Sequence, residues 1–115
     1  MTLLIVDDNA AVRRMIRRVV VDLVSDILEC ADGAAAVTAY RKLHPDVVLM
    51  DIEMSGVDGI TATRQIVSAF PNARVIIVTG HSDEPLRAAA REAGACGYVL
   101  KENLLELRAL LQETF

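Results

Sequence analysis

No apolar run in the sequence approaches the roughly 20 residues that a membrane-spanning helix needs, so nothing in it points to a membrane. The opening stretch, Met1-Thr2-Leu3-Leu4-Ile5-Val6-Asp7-Asp8, has no basic residue and meets two acids too early for a signal peptide. A cytoplasmic protein is expected. Cysteine is scarce: Cys30 and Cys96 form no Cys-x-x-Cys pair, and their apolar neighbours predict buried, reduced thiols. An excess of positive charge is missing too. The net charge is −4, so this domain itself is not expected to bind a nucleic-acid backbone. Internal repeats, linkers and low-complexity segments are absent. The 115 residues have room for one core but not two, and residues 1–115 are read as a single domain. A composition of 53% hydrophobic and 24% charged residues excludes a disordered chain.

What is present alternates between short apolar runs and helical spacing. Leu3 to Val6 reads as a first strand that ends in the polar turn Asp7-Asp8-Asn9. Val12, Met15, Ile16, Val19, Val20 and Leu23 then repeat at helical spacing, with Arg13, Arg14, Arg17 and Arg18 on the opposite, solvated face. Ile27 to Ala31 predicts a second strand, ended by Asp32-Gly33, and Ala34 to Leu43 a second helix that stops before Pro45. Val47 to Met50 is an unbroken apolar run, as expected of a strand buried on both faces of a parallel sheet. Ile60 to Phe70 predicts the third helix and Arg74 to Val78 the fourth strand. A helix from Glu84 or Pro85 to Glu92 follows, with proline suited to its first turn. Tyr98 to Leu100 is a short fifth strand, and Leu104, Leu107, Leu110 and Leu111 mark a closing helix. Five strands alternating with five helices predict a flavodoxin-like, doubly wound parallel α/β sheet of strand order 2-1-3-4-5.

Open α/β sheets carry their ligand sites at the carboxyl ends of the strands. Here those ends deliver Asp7 and Asp8 from the first strand, Asp51 from the third, Thr79 from the fourth and Lys101 from the fifth. Three acids on one rim raise one another's pKa unless a cation sits among them. Oxygen-only ligands favour a hard divalent ion, Mg²⁺ above all. Acids, Mg²⁺, a hydroxyl and a lysine together suit a phosphoryl group, with Asp51 as nucleophile.

Asp7-Asp8, Asp51, Thr79, Tyr98 and Lys101 resemble the residue set of the receiver domain of two-component response regulators, and the likeness covers essentially the whole chain. Ile5-Val6-Asp7-Asp8-Asn9, Pro45-Asp46-Val47-Val48-Leu49-Met50-Asp51-Ile52 and Gly94-Ala95-Cys96-Gly97-Tyr98-Val99-Leu100-Lys101 are similar to the family's own phrases. The resemblance implies that Asp51 accepts a phosphoryl group from a histidine kinase or phosphotransfer protein. It implies Mg²⁺ held by Asp8 and Asp51 directly, by Asp7 partly through water, and by the backbone carbonyl of Glu53. Lys101 would pair with Asp51 before phosphorylation and with a phosphoryl oxygen after it. Thr79 would swing its hydroxyl onto that group and Tyr98 would follow, repacking a face made by the fourth helix, fifth strand and fifth helix. That face could form a homodimer or control an output. Such a domain is a signalling phosphoacceptor that assists its own phosphorylation and slow dephosphorylation, not an enzyme.

Each residue also has a plainer reading. Asp7 and Asp8 could cap the first helix, although Asn9 could do so as well; Thr79 could be a strand former, Tyr98 a core aromatic and Lys101 a solvated lysine. The arginine face of the first helix is either solvated surface or a kinase contact. The family's usual prolines are replaced by Ser55 and Glu102, and the Lys101-Glu102 ending resembles regulators with helix-turn-helix output domains of the LuxR/NarL type. DNA binding and transcription control would then belong to an output domain outside this chain, which is either a stand-alone receiver or part of a longer regulator. Glu53 and His81 lie two residues beyond Asp51 and Thr79 and are expected to set the lifetime of the acyl phosphate. Three other classes compete. A flavin-binding protein would want a Ser/Thr/Gly-rich phosphate loop where Asp7-Asp8-Asn9 stands. A haloacid-dehalogenase-type phosphatase would carry Asp-x-Asp on the first strand and a cap domain. A receiver that signals without phosphorylation would not need the acceptor set.

Overall fold

The four residues before Asp51 form the centre of the sheet. In the computed structural model, which describes residues 1–114, β3 (Val47–Met50) is buried at every position. It lies between β1 (Thr2–Val6) and β4 (Val75–Thr79), with β2 (Asp26–Cys30) and β5 (Gly97–Leu100) outside them. The order is β2-β1-β3-β4-β5 and every pairing is parallel, as predicted. Phe115, the last residue of the single domain read from the sequence, lies outside the described residues.

Alternation along the strands divides the core in two. Leu4, Val6, Val48, Met50, Val75 and Ile77 face one side, where α2 (Gly33–Leu43), α3 (Gly59–Ala69) and α4 (Glu84–Ala93) contribute Ala36, Tyr40, Ala62, Ile66 and Ala90. Leu3, Ile5, Val47, Leu49, Ile76, Val78 and Val99 face the other, covered by Ile16 and Val20 of α1 (Ala10–Val20) and by Leu107 and Leu111 of α5 (Leu105–Thr114). A strand with helices on both faces must be apolar along its length, which is the pattern of β3 and, apart from the terminal Thr2 and Thr79, of β1 and β4.

Local chemistry sets the helix ends. Asn9 caps α1, its Oδ1 accepting from the N–H groups of Ala11 (2.9 Å) and Val12 (3.3 Å). Asp7 and Asp8 are thereby left for other work. The predicted helix over Leu23 tightens instead to a 3₁₀ turn at Val21–Leu23, where Arg108 of α5 donates to the Val19 carbonyl (2.8 Å) and pairs with Asp22. α4 ends at Gly94, whose φ of 104° suits glycine, and a Cβ there would stand 2.6 Å from Val67 Cγ1.

The thiols depart from expectation. Both are free, but Cys96 is exposed and Cys30 only half-buried, so the predicted burial of both is corrected. Cys30 closes an edge strand and Cys96 lies in the short connection before β5, so apolar neighbours in sequence do not enclose either one. Partial desolvation still pushes both thiols up and keeps them protonated.

Candidate functional site

The carboxyl ends of β1, β3, β4 and β5 converge on one hollow of about 720 Å³, lined among others by Asp7, Asp8, Asp51, Glu53, Thr79, His81 and Lys101. Seven of the eight residues singled out in the sequence therefore share a cavity. Tyr98 does not line it. It reaches the site from outside, donating its hydroxyl to the His81 carbonyl (2.7 Å) beneath the Arg87 guanidinium, 4.6 Å from the ring centre.

Asp51 is nearly buried, and its place is fixed from both ends. Its N–H donates to the Val6 carbonyl (2.9 Å), extending the β1–β3 ladder by one residue. Its Oδ1 accepts from the Ile52 N–H (2.9 Å) and lies 3.3 Å from Lys101 Nζ. Behind it stands Gly59, where a Cβ would fall 1.7 Å from the Asp51 carbonyl oxygen, so only glycine lets α3 begin this close. Asp58, just before it, caps α3, its Oδ1 accepting from the Thr61 N–H (2.9 Å).

Asp7, also buried, donates its N–H to the Cys30 carbonyl (3.1 Å) and accepts the Asn9 N–H at Oδ1 (2.8 Å). Its Oδ2 is buried without a hydrogen-bond partner, although Lys101 Nζ stands 2.9 Å away as an ion pair. We read that contact as charge pairing without hydrogen-bond alignment. Lys101 thus bridges Asp51, the partner the resemblance implied, and Asp7, to which it lies closer. Oxygens of Asp7, Asp8 and Asp51 all lie within 4.8 Å of one another. An orphaned buried carboxylate oxygen beside two more acids is the donor set a hard divalent cation takes, so the residues present fit Mg²⁺.

Burial raises the Asp51 pKa to about 6, helped by the negative charge of Asp7 and opposed by Lys101 and the Ile52 N–H. Burial alone would lower Lys101. Its ionic contacts with Asp7 and Asp51 outweigh that and hold the ammonium above its ordinary value. Thr79 is fully buried at the end of β4, its Oγ1 accepting from the His81 N–H (3.3 Å). Past it, His81 Nε2 meets Glu53 Oε1 at 2.6 Å, joining the loops after β4 and β3 at the exposed lip of the cavity. No spacing rule pairs those two side chains. One further residue escaped the sequence: Arg13 of α1, whose Nη1 donates to the Asp7 carbonyl.

A rim of this composition on this sheet defines a phosphoryl-handling signalling domain. The chain belongs to the response regulator receiver domain family, whose pattern matches residues 3–112. It is 40% identical over 100 residues to the response regulator UvrY of Escherichia coli, covering 85% of this chain and 46% of UvrY. The chain thus spans about half the length of the curated relatives it matches. Among solved structures it is similar to a LuxR-family two-component response regulator from Aurantimonas sp. (TM-score 0.85, 34% identity, 97% of this chain and 85% of that one). It is also similar to the CheX-CheY-BeF₃-Mg complex from Borrelia burgdorferi (TM-score 0.89, 27% identity, 100% and 89%). No described helix is long and apolar enough to cross a membrane.

Proposed function

We propose that this domain, residues 1–115, accepts a phosphoryl group on Asp51 from a phosphohistidine of a histidine kinase or phosphotransfer protein. The observation that carries the reading is the nearly buried Asp51 carboxylate, set between an acidic turn and Lys101 at the floor of an open hollow. Lys101 and the Ile52 N–H hold Oδ1, so the other oxygen is the nucleophile. The new O–P bond forms as the P–N bond to the imidazole breaks, and the histidine leaves to take up a proton. The carboxylates of Asp7, Asp8 and Asp51 and the Glu53 carbonyl would hold Mg²⁺, which when bound offsets charge on the acids and the phosphoryl oxygens. Lys101 supplies the second positive charge and follows the phosphoryl oxygens. The Thr79 hydroxyl donates to one of them, and Tyr98, tied to the His81 carbonyl, moves with that loop.

The resulting change of the α4–β5–α5 face would serve a homodimer contact or an attached output domain. The transcriptional regulatory protein DegU of Brevibacillus brevis and a LuxR-family DNA-binding response regulator of Staphylococcus aureus, both similar to this chain, support transcription control, with DNA bound by an output domain. Incubation with a small acyl phosphate and Mg²⁺ tests the core of the reading by intact mass. The chain is expected to gain one phosphoryl group, with no gain in chelator or in Asp51→Asn. An unchanged mass with Mg²⁺ present would instead favour a receiver that signals unmodified.

A further inference from the structure

Resting on the receiver reading above, we propose that Arg13 is a positioning residue for the acceptor site, acting through the peptide that joins Asp7 to Asp8. β1 ends at Val6. Beyond it the Asp7 N–H is still held by the Cys30 carbonyl, but the Asp7 carbonyl lies past the end of the ladder. A buried carbonyl needs a donor, and Arg13 Nη1 supplies a charged one. That guanidinium is itself fixed, for its Nε donates to Glu29 Oε1 (2.8 Å) on β2. Glu29 is held in turn by Arg17, whose Nη2 donates to Oε2 (2.6 Å). A rigid fork thus runs from β2 through α1 to one carbonyl oxygen.

That oxygen belongs to the planar peptide between the two acids. Holding it sets the rotation after Asp7 and the rotation before Asp8, and so the directions in which both carboxylates leave the backbone. Asp7 Oδ1 is fixed locally by the Asn9 N–H, while exposed Asp8 has no such tie among the hydrogen bonds of the turn. Its aim depends on the peptide plane. Arg13 touches neither Asp51 nor any of the three clustered carboxylates through these bonds; it acts by orienting the turn. A lysine could bring a charge to this place but could not serve Glu29 and the Asp7 carbonyl together in one planar fork.

The test is a Mg²⁺ titration of the whole chain followed by amide NMR shifts of Asp8 and Asp51, with thermal unfolding in chelator to establish that each variant is folded. Arg13→Ala is expected to weaken Mg²⁺ about tenfold, the size lost when a group behind a metal ligand is removed. Arg13→Lys, which keeps the charge and guards against an unfolded alanine variant, is expected to weaken it by about threefold or more. Arg14→Ala, which removes an exposed arginine of the same helix outside this fork, is expected to stay within about twofold of the wild type. Wild-type affinity in Arg13→Ala, or in Arg13→Lys, overturns the proposal while leaving the receiver reading intact. A wild-type chain that takes up no Mg²⁺ at all removes both.

Discussion

Asp51 is asked to be two things that conflict, a nearly buried group and an anion. Its pKa of about 6 records the conflict, since burial and the charge of Asp7 outweigh the ammonium beside it. The consequence for stability has a definite sign. The unfolded carboxyl titrates near 3.8 and the folded one near 6, so between those values the folded chain keeps a proton that the unfolded chain has released. In metal-free solution stability therefore falls as pH rises through that window and stays low above it. Asp51→Asn cannot ionise and should lose this slope. At neutral pH in chelator it should be more stable than the wild type by about 1–3 kcal/mol, read as a higher Tm. An Asn variant that melts lower under those conditions would contradict this account of the rim. Asp51 and Lys101 were legible in sequence because each directly follows a short apolar run. Arg13 was not legible: spacing says which residues share a polar face, but not which of four arginines meets Glu29 on a strand paired to β1.

At the scale of elements, two loops that never meet in sequence are joined by Glu53 and His81 at 2.6 Å. Both positions were expected to govern the acyl phosphate's lifetime, and we propose that their contact does so by shielding the lip of the cavity from water. Replacing both by alanine should speed hydrolysis of the phosphorylated chain by about tenfold, roughly 1.4 kcal/mol of barrier. Decay of the mass-labelled form would be followed in chelator-quenched samples, and a change below about twofold would count against the shield. Element type and order followed from pattern because each strand is a run of four or five mostly apolar residues between turn formers. Ends slipped by a residue where pattern is silent. Thr2 and Gly97 pair in the sheet although neither belongs to an apolar run, since pairing depends on the neighbouring strand. The thiols failed for a related reason: hydrophobic neighbours along the chain do not amount to enclosure at a sheet edge.

For the molecule as a whole, net charge −4 conceals an uneven distribution. The four arginines of α1 were read as one face, but Glu29 holds Arg13 and Arg17, which leaves Arg14 and Arg18 exposed beside Met15, 46% exposed. A basic patch around an exposed apolar residue, on the helix that follows Asp7 and Asp8, would suit an acidic surface on the phosphoryl donor. Arg14→Glu with Arg18→Glu should slow transfer from the cognate kinase about tenfold and leave labelling by a small acyl phosphate unchanged. Equal rates from the kinase would remove the docking role, whereas loss of both reactions would mean that the site itself was damaged.

The site of phosphoryl attachment is the decisive observable. After incubation with a phosphohistidine donor and Mg²⁺, borohydride reduction converts an aspartyl phosphate to homoserine, and peptide mass mapping locates it. Expected is homoserine at position 51 alone, present with Mg²⁺ and absent in chelator. Homoserine at position 7 or 8, or labelling that is indifferent to the metal, would contradict the central claim.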